Sequence, residues 1–240
     1  MFSRNGVAWL FLLCTVPAAA HEPIILDARR ATEGLRLELT DAPPTKGEAV
    51  VGYRLHAVGL PRGVVFGVWA KDFGHSFHEL ASSFQVDESG DLVSRAPATS
   101  GRRLDEMTFE PGPFPRGAIW EVAIVSTDQT LKAFAKAIPQ PIAARDGPCT
   151  VSLELVSHRG ERFIAAGNGF GPGEEVITES ASSGRVVQKR RRITPEGLLP
   201  PEVISHGATS ADRSASYAVK SRSCSVAVEY EWGEPALSRH

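Results

Sequence analysis

Cys149–Leu155 reads CTVSLEL and Cys224–Trp232 reads CSVAVEYEW, and the reading of these two stretches decides the fold. In the first, Cys149, Val151, Leu153 and Leu155 share one parity, with Thr150, Ser152 and Glu154 between them. In the second, Cys224, Val226, Val228, Tyr230 and Trp232 do the same. A period of two places each apolar set on one face of a strand, so both cysteines point into a core. A buried disulfide between Cys149 and Cys224 is therefore expected, closing a loop of about 75 residues and stabilising by roughly 4 kcal/mol through chain entropy. Two unpaired buried thiols are the alternative. Neither residue belongs to a CxxC, so a redox or metal role is not expected.

A disulfide requires an oxidising compartment, and the N-terminus agrees. Arg4 is followed by the apolar run Val7–Val16 and then by Ala18-Ala19-Ala20, the layout of a secretory signal peptide over residues 1–20. The run is shorter than the roughly 20 residues a bilayer span needs. Cys14 leaves with the signal, and Leu13 before it does not suit a lipoprotein site. The expected mature chain begins at His21 and is secreted or periplasmic.

The 240 residues are 42% hydrophobic and 22% charged, with 26 basic and 28 acidic side chains. That balance argues against a nucleic-acid partner or an anionic membrane surface. No transmembrane segment follows the signal.

Outward from the two cysteine strands, the pattern is strand nearly throughout. Leu35, Leu37 and Leu39 alternate with polar residues up to Pro43-Pro44, and Val51, Tyr53, Leu55 and Ala57 follow. Val64–Ala70 (VVFGVWA) and Ile119–Val125 (IWEVAIV) are apolar on both faces, as central strands are. Phe84–Val93 reads as a hairpin, and Leu131–Ile138 as a returning strand. Phe77, Leu80, Ala81 and Phe84 recur at helical spacing and allow a short helix. Residues 139–148 carry three prolines and read as a stiff linker. Beyond it come strand candidates at Thr150–Val156, Arg162–Ala166, Glu174–Glu179, Arg185–Ile193, Glu202–Ser205, Ser214–Lys220 and Cys224–Tyr230.

Seven short strands in about 85 residues is the count of an immunoglobulin-like sandwich. The expected architecture is all-β, with two consecutive antiparallel β-sandwich (Ig-like) domains. The first spans 21–138 and the second 149–233, joined by the 139–148 linker and followed by a tail over 234–240.

Gly167–Val176 (GNGFGPGEEV) resembles the G-x-G-F-x-P-G-E-x-V signature of bacterial extracytoplasmic Ig-like domains. Its mechanics are legible directly: glycines allow positive φ at a strand end, Phe170 turns into the core, and Pro172-Gly173 form a type II turn. The resemblance covers mainly the C-terminal half. It implies a sandwich and names no ligand.

Four features bear on chemistry. Gly74–His78 (GHSFH) resembles a G-x-S-x-G nucleophile elbow around Ser76, but His78 replaces the second glycine and the alternating strands and helices are missing. No catalytic residue is assigned. A mature N-terminal His21 offers an α-amine and an imidazole, similar to the copper-chelating brace of secreted lytic monooxygenases. His75 and His78 are its candidate partners, with Asp72 or Glu79 nearby. Lys189, Arg190, Arg191 and Arg192 form a basic run that could bind an anion; on a strand it more often marks a charged edge. Trp69, Trp120 and Trp232 lie in apolar alternating strands and read as core.

The expected function is a non-enzymatic binding, adhesion or envelope-associated module, with an extracytoplasmic protein or a glycan as partner and no cofactor. The alternative is a periplasmic copper-binding protein using His21 with His75 and His78.

Overall fold

The computed structural model describes residues 26–43, 51–207 and 212–238. Among these, fifteen strands form four sheets, and every ladder between strands is antiparallel. The protein is all-β, and the only helical elements among the described residues are short 3-10 turns. No helix among them is long and apolar enough to cross a membrane.

The first seven strands are β1 (Arg36–Asp41), β2 (Tyr53–Val58), β3 (Val65–Lys71), β4 (His78–Val86), β5 (Leu92–Ser94), β6 (Trp120–Ser126) and β7 (Lys132–Ala137). β1 and β2 pair alone, while the other five run in the order β5-β4-β3-β6-β7. The two runs apolar on both faces, β3 and β6, occupy its middle, as their sequences require. Tyr53 packs its ring 5.4 Å from that of buried Trp120, tying the small sheet to the large one.

The next eight are β8 (Ile142–Asp146), β9 (Cys149–Leu155), β10 (Arg162–Asn168), β11 (Glu175–Ser182), β12 (Arg185–Arg192), β13 (Leu199–Ser205), β14 (Ser214–Lys220) and β15 (Ser225–Glu231). They make two four-stranded sheets, β13-β10-β9-β8 and β12-β11-β14-β15. Each strand expected from the pattern beyond residue 148 is present. β9 alternates without a break between buried and half-buried residues, and β15 between buried and exposed.

The two sheets meet through their apolar faces. Phe163 of β10 meets Tyr230 of β15 edge-to-face at 4.8 Å. Cys149 and Cys224 form a disulfide with Cα atoms 6.4 Å apart, joining β9 to the residue before β15. Glu202 of β13, only 9% exposed, reaches across to β11 and β14. Its Oε2 accepts from Thr178 Oγ1 at 3.2 Å and from Tyr217 Oη at 3.1 Å, and its Oε1 meets Lys189 Nζ at 2.6 Å. Burial alone would push this carboxyl up; the Lys189 ammonium, with Tyr217 and Thr178, overrides burial and holds it below its ordinary range. Burial and the facing carboxylate push the Tyr217 phenol up.

The glycine-rich stretch folds as its residues dictate. Gly169 has φ +80° and lies against the Pro148 carbonyl, where a side chain has no room. Phe170 is buried, and Glu174 N donates to Gly171 O at 3.1 Å across Pro172-Gly173, with Gly173 at φ +73°. That is the type II turn expected from Pro at the second position and Gly at the third.

Two local expectations change. Residues 77–84 form no helix; they belong to β4 and the turn before it. β-Bulges interrupt the β3–β4 ladder between Phe66 and Val68 and between Val68 and Trp69. Extra residues in a strand break its period of two, and the resulting three- and four-residue spacing imitates a helix. The proline-rich stretch 139–148 is also not coil throughout, since Ile142–Asp146 form β8. Pro139 and Pro141 precede that strand, and Pro148 occupies the two-residue turn to β9, so no proline interrupts the ladder. Across this stretch Gly117 N donates to Gln140 O at 2.7 Å, and Leu155 N to Gly117 O at 2.8 Å.

Candidate binding site on the five-stranded sheet

One face of β3 is core: Phe66, Val68 and Ala70 are buried. The other carries Gly67, Trp69 and Lys71, and here Trp69 is half-buried rather than core. Trp120 and Trp232 are core, each 1% exposed. The run Val64–Ala70 conceals this difference, because a fully buried indole and a half-buried one give the same letters.

The bulges decide what stands beside Trp69. Phe66 pairs with Phe84, so an unbroken ladder would set Trp69 opposite Ala81. Ser82 and Ser83 instead share the position facing Gly67, Leu80 is left over, and Trp69 faces Glu79. Ser83 takes φ +63°, an uncommon conformation for a residue within a strand. A bulge re-aims side chains, and this pair of shifts brings a carboxylate alongside an indole.

Gly67 completes the arrangement. A Cβ built on it would stand 3.1 Å from both Trp69 Nε1 and Glu79 Oε1. The indole N–H and the carboxylate therefore lie together over a position with no side chain. Neither has a hydrogen-bond partner among the described residues.

These groups open on a groove of about 660 Å3, lined also by Ser82, Ser83, Thr127 and Gln129. That is within the usual range for small-ligand sites, roughly 300–1,000 Å3. Asp128 sits at the rim, where Ser126 Oγ and then Thr130 N and Oγ1 donate to it and hold its carboxyl below the ordinary range. Next to Trp69 lies an apolar patch: Ala123 stands between Trp69 and Phe134, and Phe134 meets Phe77 at 6.2 Å. Lys71 Nζ lies 5.9 Å from the Phe77 ring and 3.1 Å from Glu121 Oε1.

A second groove of about 790 Å3 runs past Arg116, Ser183, Ser216, Glu229, Glu231 and Pro235. Its one aromatic, Tyr230, is buried, and the phenol oxygen is 2.9 Å from His206 Nε2. It presents no open ring.

The residues singled out from sequence fall elsewhere. His75 and His78 are exposed, in the β3–β4 loop and at the start of β4, and His21 lies outside the described residues. No three His, Cys, Asp or Glu side chains converge with metal-holding geometry among the described residues. Ser76 is exposed between two strands, with no imidazole or carboxylate among the described residues bonded to its hydroxyl. Lys189, Arg190, Arg191 and Arg192 belong to β12, an edge strand whose alternation divides them between two faces. Lys189 engages Glu202, Arg190 lies 3.8 Å from Glu175, and Arg191 donates to Pro200 O at 3.5 Å.

No protein-family model matches the chain, and no curated protein sequence is similar to it.

Proposed function

We propose that this chain is an exported binding module whose ligand face is the outer side of the five-stranded sheet, docking an extracytoplasmic protein or glycan. The observation that carries the reading is the Trp69–Glu79 pair: a half-buried indole and a carboxylate with no partner among the described residues, set side by side over Gly67 by two bulges. Exposed aromatic rings beside polar groups in a concave surface are what recognition sites are made of.

Export is supported by the signal-like residues 1–20 and by the Cys149–Cys224 disulfide, which persists in oxidising compartments. The immunoglobulin-like reading of the C-terminal half draws support from strand order. β9 and β10 lie in one sheet, β11 and β12 in the other, β13 returns to the first, and β14 and β15 to the second. On this reading the second domain is a disulfide-tied support for the ligand-bearing first.

The test is a pull-down from envelope fractions with the mature protein as bait, run beside Trp69→Ala and a control substitution on β12, Arg192→Ala. A partner retained by wild type and Arg192→Ala but lost with Trp69→Ala is the expected result. Equal capture by all three baits contradicts it.

A further inference from the structure

The polar groups at Trp69 narrow the chemistry of what binds there; the inference rests on the binding-module reading above. Among the described residues the indole N–H has no acceptor and the Glu79 carboxylate no donor. Both side chains pack over Gly67, which is itself buried, and both line the groove. A group that satisfies both must accept and donate at once. A hydroxyl does this; an ammonium or guanidinium only donates, and would leave the indole N–H without an acceptor.

The rest of the groove points the same way. Ser82, Ser83, Thr127 and Gln129 add neutral side chains that both donate and accept; Asp128 also lines the groove but already accepts from Ser126 and Thr130, and no lysine or arginine among the described residues lines it. Half-buried Trp69 lines the groove with part of its apolar indole, and a pyranose ring has a face of C–H groups with hydroxyls around its rim. Stacking on the ring with hydroxyls turned to the carboxylate and serines satisfies both kinds of surface.

We infer that the groove is a saccharide site, in which a pyranose unit stacks on Trp69 and one of its hydroxyls accepts from the indole N–H and donates to Glu79. Gly67 lets the two groups converge, because a Cβ there would stand only 3.1 Å from each of them. The groove of about 660 Å3 has room for more than one sugar unit, so an oligosaccharide segment is the ligand class.

The experiment titrates the mature, disulfide-bonded protein with soluble hexasaccharides of glucose, N-acetylglucosamine, xylose and mannose, followed by calorimetry and indole fluorescence. Hexalysine serves as the cationic comparison. At least one hexasaccharide is expected to bind, with affinity lowered at least about tenfold in Trp69→Ala and in Glu79→Gln, and partly retained in Trp69→Phe. Circular dichroism of each variant separates lost binding from lost folding, and Glu79→Gln, on an exposed residue, keeps the question open if Trp69→Ala does not fold.

The inference is overturned if no hexasaccharide binds at millimolar concentration, if binding survives both substitutions, or if hexalysine binds through Trp69 and Glu79 instead. A protein captured through Trp69 in the pull-down, with the sugars inert, would overturn the saccharide assignment and leave the binding-module reading standing. Loss of both would remove the two together.

Discussion

Lys189 Nζ lies 2.6 Å from Glu202 Oε1, tying the edge strand β12 to a strand of the facing sheet. Lys189 shares the inner face of its sheet with Thr178, its cross-strand neighbour, and its charge turns inward at the edge. Such a residue blocks pairing with a second sheet, because continuing the edge would desolvate it. The Glu202 carboxyl is held below its ordinary value of 4.5, so its contribution to stability is complete above pH 4.5 and fades as pH falls through the lower folded value. Lys189→Met is expected to cost about 1 kcal/mol at neutral pH, since half of the lysine side chain is in water. It should also shrink the loss of stability below pH 4.5, because without the ammonium the folded carboxyl moves back up toward its ordinary value. Urea titrations between pH 3 and 7 measure both; a variant with an unchanged acid limb contradicts the coupling.

His206 gives the opposite charge change in a higher window. Its ring stacks 5.0 Å from buried Trp232, its Nε2 is 2.9 Å from Tyr230 Oη, and the Arg213 guanidinium lies 4.3 Å from the Trp232 ring. Burial holds the imidazole below its ordinary value of 6.5, so the folded state favours the neutral ring. The unfolded chain binds the proton first as pH drops below 6.5, and stability declines until the folded value is reached. His206→Gln should flatten the stability profile in that window. Chemical denaturation at half-unit pH steps decides the point, and an identical slope in the variant refutes it.

Reduction of Cys149–Cys224 is expected to lower stability by about 4 kcal/mol, from the entropy of a loop closed over a separation of 75 residues. Comparing the urea midpoint of the oxidised protein with that of Cys149→Ala/Cys224→Ala measures it. Equal midpoints would mean the sandwich core holds the two strands without the bridge.

Gly169→Ala places a methyl group into the Pro148 carbonyl at a φ of +80°. Strain and overlap together should cost at least about 2 kcal/mol. Gly147→Ala, with nothing near its Cβ position, is the comparison that isolates the overlap from the φ strain, and it should cost less. Thermal melts of the two variants rank them, and equal losses would reject the close approach as the cause.

The sandwich strands were legible because burial there is strictly one-sided. In β9 and β15 each buried residue is two from the next, and the cysteines fall on the same parity, so the letters alone locate the core and its bridge. The glycine stretch was legible because positive φ and Pro-Gly turns leave few alternatives. The Trp69 site was hidden for the converse reason. Its decisive feature is a register shift in β3–β4, a property of two strands together that neither sequence displays, and the shift itself disguised β4 as helical spacing. What marked it in the sequence was Gly67 within an otherwise bulky apolar run, a glycine that signals a bulge or a close approach.

Hydroxyl-radical footprinting of the mature protein, with and without envelope extract, tests the placement of the ligand face most directly. Oxidation of Trp69, Phe77 and Phe134 should fall on addition of extract, while Arg116, Pro235 and the β12 residues Val186 and Val187 stay unchanged. Protection at Arg116, Pro235 or β12 with none at Trp69 would contradict the account.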